Sequence, residues 1–383
     1  MTETKKIPEG WEEVKLESVT EILDSKRVPI TKSERKKGNT PYYGATGLLD
    51  YVEGFIFDEE LVLIGEDGAD WSSYANTAYI IKGKSWVNNH AHALRCTKIN
   101  SIFFKEFINK SDLKIYITGT TRGKLNQESL RKIKLLCPPL KEQEKIASIL
   151  SKVDDQIQTT EEIITKSEEL KKGLMQDIFN NEKQKQWNTS KIKDVVIKLK
   201  RGHSLATNSI GKGVIYMTSG FLQDNYIDWS IQKYLDTDKP LDNCLLVKGD
   251  VILNCVNSWA KLGKVAVFEG YKKPVVVGFN NFGITFNNKI NPFFVKYFLL
   301  TKRIQYLLRA VSKPAVQQVS FSGSDLLRLE IKYPSIEEQN KIIIVLMGVD
   351  NNIQDNKAEV DRLQELKKGL MQDLLTGKVR VAM

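Results

Sequence analysis

The chain has 383 residues, enough for two ordinary hydrophobic cores, with a formal net charge of +10 and a pI near 9.1. That balance favours a polyanionic partner over an acidic small molecule. Cys96, Cys137, Cys244 and Cys255 are scattered without a C-x-x-C pair, so neither a disulfide frame nor a zinc site is indicated and a cytoplasmic setting is expected.

From the N-terminus, Met1 to Trp11 is polar and lacks the apolar core of a signal peptide. The pattern Trp11-x-x-x-Lys15-Leu16-x-x-Val19 returns 176 positions later as Trp187-x-x-x-Lys191-Ile192-x-x-Val195. Short apolar runs bounded by Gly, Asn and Asp predict strands at Leu61–Ile64 and Ala78–Ile81, then at Val214–Thr218, Asp250–Leu253 and Lys264–Phe268. Amphipathic segments predict helices at Phe103–Ile108 and Pro292–Leu308. Cys137-Pro138-Pro139 and Tyr333-Pro334-Ser335 each end a strand and open a long helix, with Glu142 and Glu337-Glu338 in the first turn, where the helix dipole favours acids.

These long helices carry a repeat. Leu170-Lys171-Lys172-Gly173-Leu174-Met175-Gln176-Asp177 recurs unchanged 196 positions later, from Leu366 to Asp373. Glu142-Gln143 recurs in the same register as Glu338-Gln339. Apolar residues alternate at spacings of four and three, at Ile146, Leu150, Val153, Ile157, Thr160 and Ile164, and again at Ile342, Leu346, Val349, Ile353, Asn356, Val360 and Leu363. That is a coiled-coil seam, and Thr160 and Asn356 are its equivalent polar interruptions, expected to meet and fix register. Gly173 and Gly369 cost helix stability and are expected to mark close packing, against the adjoining mixed domain or a bound partner subunit. The longest apolar run, Ile342 to Met347, is too short to span a bilayer.

The chain therefore divides into a mixed domain at 1–137, a helix at 138–179, a polar linker at 180–186, a second mixed domain at 187–333, a second helix at 334–377 and a tail at 378–383. The fold class is α+β: two mixed domains separated by a long antiparallel two-helix coiled coil with an internal pseudo-two-fold repeat. The mixed domains share little sequence beyond their edges, and the second is 20 residues longer, which points to different detail in the two.

Catalytic motifs are missing. An adenine methyltransferase needs a polar residue, two prolines and an aromatic in sequence, and Cys137-Pro138-Pro139-Leu140 has neither flanking group. No phosphate-binding loop is present. His90-x-His92 lacks a third ligand, so neither metal nor cofactor is expected. What remains is a set of basic, amide-bearing and aromatic loops suited to phosphates and base edges. In the first domain these offer Lys26, Arg27, Arg35, Lys36, Lys37, Tyr42, Tyr43, Asn88, Asn89, His90, Arg122 and Lys124. The second offers Lys200, Arg201, His203, Trp259, Lys261, Asn280, Asn281, Lys313, Gln317 and Gln318.

Along almost its whole length the chain resembles the specificity subunits of Type I restriction–modification enzymes. The resemblance rests on Pro41-Tyr42-Tyr43-Gly44-Ala45-Thr46-Gly47, Leu63-Ile64-Gly65-Glu66-Asp67-Gly68-Ala69, Asn88-Asn89-His90-Ala91-His92, Pro138-Pro139-Leu140-x-Glu142-Gln143 and Leu374-Leu375-Thr376-Gly377-Lys378. It implies that each mixed domain reads one half of a bipartite double-stranded DNA target. The helices then act as spacers on which two modification (methyltransferase) subunits assemble. Methyl transfer, and ATP-dependent cleavage where restriction subunits join, would belong to those partners. The contrasting expectation is a structural coiled-coil adaptor whose end domains bind proteins.

Overall fold

The computed structural model describes residues 7–119, 123–179, 183–223, 226–238, 240–315 and 318–381. It forms two compact units, Met1–Ile163 with Asn356–Met383, and Ile164–Asp355.

The first unit begins with β1 (Glu12–Lys15), the single turn α1 (Leu16–Val19) and β2 (Thr20–Ile22). A hairpin of β3 (Lys37–Gly44) and β4 (Gly47–Val52) follows, then β5 (Phe57–Asp58), β6 (Leu61–Gly65), β7 (Ala78–Ile81), β8 (Lys84–Val87) and β9 (Ala91–Cys96). Helices α2 (Ser101–Lys110) and α3 (Gln127–Arg131) lead to β10 (Lys134–Cys137), which pairs antiparallel with β1. One sheet has the order β2-β9-β6-β7; the other is β4-β3-β8-β5, in which β3 and β8 run parallel. All five residues of β6 are buried, because alternate side chains serve two cores. Val62 and Ile64 pack with Phe103, Phe104 and Ile108 of α2, while Leu61 and Leu63 pack with Phe57 and Val87.

The long helix α4 (Leu140–Ile178) starts after Pro139, and its first turns, with Ile146, Ala147 and Leu150, complete the first core. In the second unit β11 (Asn188–Lys191), β12 (Val196–Arg201), β13 (Val214–Met217), β14 (Tyr234–Leu235), β15 (Val251–Asn254), β16 (Val256–Asn257), β17 (Val265–Val267), β18 (Val275–Val277) and β19 (Asn281–Phe286) precede α5 (Pro292–Leu300) and α6 (Lys302–Ala310). The hairpin β20 (Lys313–Ala315) and β21 (Gln318–Ser320), the turn α7 (Gly323–Arg328) and β22 (Glu330–Tyr333) lead into α8 (Ile336–Leu374). Here β11 pairs with β22, one sheet is β12-β19-β15-β17, and β13 runs parallel to β18 beside β14. The two domains thus share a topology despite their dissimilar sequences. The segment expected as one helix from Pro292 to Leu308 is two, because Thr301 takes an extended conformation, closing α5 and capping α6 with its hydroxyl.

Helix burial follows the heptads. Ile146, Leu150, Val153, Leu346, Ile353, Val360 and Leu363 are buried, while Ile157, Thr160, Ile164, Ile342, Val349 and Asn356 are half-buried. Inside each unit the two helices run antiparallel. In the first, Glu142 pairs with Arg380 at 2.7 Å and, further along α4, Asp154 pairs with Lys367 at 2.7 Å. In the second, Lys171 pairs with Asp350 at 2.6 Å and Ser167 donates to Asn352 at 3.1 Å. Lys171 and Lys367 are repeat equivalents, as are Asp154 and Asp350.

Both ion pairs are tied to the mixed domain. In the first unit Lys367 also reaches buried Glu106 at 3.0 Å, and Glu106 holds Lys105 at 2.5 Å. In the second, Tyr297 stands where Glu106 does and donates to Asp350 at 2.7 Å, with Lys296 at 3.5 Å. The exchange of a carboxylate for a phenol shows in the lysines. Burial pulls Lys105 down, but Glu106 and Asp154 outweigh it and its pKa is raised; at Lys296 burial prevails over Asp350 and the pKa is lowered.

Gln143 and Gln339 anchor the helix starts. Gln143 accepts from the Asn100 backbone N–H and donates to the Pro138 carbonyl, both at 2.8 Å. Gln339 accepts from the Asn291 N–H at 2.8 Å and donates to the Pro334 and Lys289 carbonyls at 3.0 and 3.1 Å. Asn100 and Asn291 are themselves the N-caps of α2 and α5. Neither Gly173 nor Gly369 packs closely against its own mixed domain: a Cβ at either would meet nothing else of this chain within 4 Å.

Candidate nucleic-acid interface

In the first unit, segments distant in sequence converge on one edge. Backbone hydrogen bonds join them: Asn88 N–H to the Tyr43 carbonyl (3.0 Å), Glu66 N–H to His90 (2.8 Å) and Leu125 N–H to Glu66 (2.8 Å). Thr118 and Lys124 exchange two bonds of 2.9 Å, so these two positions pair antiparallel beside Asp67. Gly65 permits this convergence, since a Cβ there would lie 2.4 Å from the Ala69 methyl and 3.1 Å from the Ala45 carbonyl. The result is an open hollow of about 200 Å³ lined by Ala45, Thr46, Leu49, Asp67, Gly68, Asn88 and His90.

Beneath the hollow lies an ionic network. Arg27 binds Glu66 at 2.6 Å, Asp24 at 3.4 Å and the Ala91 carbonyl at 2.7 Å. Lys124 reaches the other Glu66 oxygen at 2.8 Å. His92, fully buried, has Nδ1 2.6 Å from Asp24 and Nε2 2.7 Å from the Leu125 carbonyl. Burial would raise the Asp24 pKa, but the His92 hydrogen bond and charge, the Ala93 amide and Arg27 outweigh it and hold it below the usual carboxylate value. Asp24, Glu66 and His92 lie close enough together for a metal site. Their donor atoms are already engaged, however: both His92 nitrogens face acceptors and both carboxylates hold cations.

The second unit repeats the arrangement with different chemistry. β16 pairs with β21, and β21 with β20. The same geometry is reduced in the first unit to bridges of Lys124 with Asp67 and Thr118. The two clusters singled out in the sequence, around Lys124 and around Lys313 to Gln318, are therefore one structural element occurring twice. Below it, buried Asn281 donates to the Met217 carbonyl and accepts from Asn254, both at 2.9 Å. Arg201 stacks on Phe279 at 4.4 Å and Phe282 at 5.4 Å.

Several expected contact residues are committed to the domain interior. Arg27 is held in the ionic network. Tyr42 is 1 % exposed beneath the Arg35 guanidinium, 4.3 Å from its ring. Asn88 is buried, its side-chain oxygen taking the His90 N–H at 2.8 Å. Lys200 is buried against Asp250 at 2.5 Å, and Asn281 is fully buried. A side chain desolvated and paired in this way has neither the reach nor the spare donors to meet a duplex, so Arg27, Tyr42, Lys200 and Asn281 are structural, while Asn88 commits its oxygen but still lines the hollow. Arg35 is partly engaged with Asp50 at 3.3 Å. Lys26, Lys36, Lys37, Asn89, Lys124, Arg201, His203, Trp259, Lys261, Lys313 and Gln318 are exposed, and Tyr43, His90 and Asn280 half-buried. Arg122 and Gln317 lie outside the described residues.

Sequence reading missed Asp24, Glu66, Asp67 and His92 as a working group. The available signal was a histidine flanked by alanines within a strand, a polar residue where an apolar one is expected.

A family model described as Type I restriction modification DNA specificity domain matches the chain twice, at 8–169 and 184–367. The specificity subunit of Type I restriction enzyme MjaVIII from Methanocaldococcus jannaschii is 25% identical over 425 residues, covering 98% of this chain and 94% of that one. A putative Type I specificity subunit from Haemophilus influenzae is 36% identical over 136 residues, 35% of each chain. In fold, the crystal structure of the S subunit of a Type I restriction–modification system from M. genitalium matches 99% of this chain and 98% of its own, with a TM-score of 0.66 at 15% identity. A chain from a structure of assembly and conformational transition in the type I R-M system matches with a TM-score of 0.56, also at 15% identity, over 98% of this chain and 100% of its own. With two copies of that domain covering most of its length, the chain belongs to the Type I restriction modification DNA specificity domain family.

Proposed function

We propose that this chain is the DNA sequence-specificity subunit of a Type I restriction–modification complex. Each mixed domain reads one half of a bipartite duplex target, and the long helices hold two modification subunits that carry out methyl transfer. ATP-dependent cleavage, where restriction subunits join, resides in them. The observation that carries this reading is the repetition of one topology, with the same antiparallel pairing and loops gathered at one edge each time, in domains whose exposed residues there differ. That is the design expected of two readers with one frame and separate targets. Net positive charge supplies the phosphate attraction that positions such readers, while side chains on the loops select bases.

The test is to co-express the chain with its modification subunits, purify the complex and sequence the methylated DNA. A bipartite methylated sequence supports the reading. The adaptor alternative predicts no salt-sensitive DNA affinity, and a self-contained methyltransferase would bind S-adenosylmethionine by itself, which calorimetry on the isolated chain would detect.

A further inference from the structure

We propose that His90 reads one base of the target by accepting a hydrogen bond from an exocyclic amino group, adenine N6 or cytosine N4, and that Asp67 fixes the ring tautomer that makes this possible. The inference rests on the DNA-reading role proposed above and carries it to one residue and one class of base edge.

The His90 side chain is 44% exposed at the margin of the hollow, whereas its Asp67 partner is only 16% exposed. The backbone holds the ring in place: the His90 N–H donates to the Asn88 side chain at 2.8 Å, and its carbonyl accepts from Glu66 at 2.8 Å. Nδ1 lies 2.6 Å from Asp67 Oδ1. An ionised carboxylate only accepts, so Nδ1 carries the proton, and in the neutral ring Nε2 is left as an acceptor. No described residue hydrogen-bonds Nε2. The neighbouring Glu66 carboxylate is already matched by Arg27 and Lys124, which leaves Asp67 to the imidazole. In the major groove only adenine N6 and cytosine N4 offer a donor; guanine offers N7 and O6, and thymine O4. An acceptor at Nε2 therefore selects amino bases. A protonated ring would do the reverse and donate to guanine or thymine, and the experiment separates these cases.

The complex with modification subunits is used throughout. The methylated sequence defines the target, and binding is then measured on duplexes in which each amino base of the target is replaced in turn by an analogue lacking the amino group. One position should cost wild type about tenfold in affinity, the worth of one hydrogen bond. His90→Ala should show no penalty at that position and should methylate sites with any base there. Asp67→Asn keeps the ring, and its amide can donate as well as accept, so it should free the tautomer and admit keto bases at the same position. The proposal is overturned if His90→Ala methylates only the wild-type sequence, with no position relaxed, if the analogue penalty survives in it, or if Asp67→Asn, folded to the wild-type melting temperature, discriminates as before. Those results leave the specificity-subunit reading intact. If the wild-type complex methylates no bipartite sequence, that reading fails and the role of His90 fails with it.

Discussion

Replacing Gln143 by Ala tests how each long helix is fastened to its domain. Gln143 is buried, and removing it strands two backbone groups, the Asn100 N–H and the Pro138 carbonyl, each now bonded at 2.8 Å. A buried polar group left unpaired costs about 1–3 kcal/mol, and partial solvation of the helix start trims the sum, so a loss of roughly 2–4 kcal/mol is expected. Gln339→Ala should match or exceed it, because that side chain makes three such bonds. The chain contains two compact units, so a single global unfolding energy is a poor readout. Amide hydrogen exchange is better: in Gln143→Ala the amides of Asn100 and the first turn of α2 should exchange roughly 30- to 700-fold faster, from about 1.4 kcal/mol per tenfold. Amides of α5 should be unchanged, and Gln339→Ala should give the mirror result. Exchange within threefold of wild type around Asn100 would refute the anchoring argument.

Neutralising Lys36 and Lys37 should weaken binding to all duplexes alike and flatten the salt dependence by about one unit per lost phosphate contact, measured by anisotropy across a salt series. Gly173→Ala and Gly369→Ala should each stabilise its own helix by about 0.5–1 kcal/mol, read as amide exchange slowed roughly two- to fivefold in the surrounding turns, since open space surrounds both sites. A loss of stability would show a packing role after all. Burial pushes the Cys255 thiol up to about 12 and the Cys96 thiol up to about 11, so neither should react with thiol reagents in the native protein at pH 8. Because these folded-state values exceed the ordinary value of 9.0, their contribution to stability is complete below about pH 9 and is lost as pH rises from there towards 11 and 12, which denaturant melts at alkaline pH would follow.

The helices were the legible part of the sequence. An identical octapeptide and a four–three apolar spacing leave little freedom in period or register, and the burial of Leu150, Leu346, Val360 and Leu363 follows the heptads. The proline stops before Leu140 and Ile336 located the helix starts to within a few residues. The shared topology of the mixed domains was not legible, because short strands such as β8 and β14 take their pairing from contacts far away in sequence. The hairpin of β3 and β4 read as a polar loop, since Tyr42 and Tyr43 lie on opposite faces, Tyr42 buried beneath Arg35 and Tyr43 half-buried against the cluster of Leu61, Leu63 and Phe57. Site residues were the least predictable. Lys200 and Lys261 are the same residue type in basic surroundings, and only the fold shows that one is buried against Asp250 while the other is exposed. Composition reports a charge but not whether it is already neutralised.

The central claim is that each mixed domain reads its own half-site, and methylome sequencing of unit-confined variants tests it most directly. Substitutions at Asn89 or Lys124 in one domain, and at Trp259, Lys261 or Gln318 in the other, are assembled with wild-type modification subunits. The account predicts that each set changes or relaxes only one half of the methylated sequence, a different half for each domain, with the other half and the intervening gap unchanged. A substitution confined to one domain that rewrites both halves would contradict it.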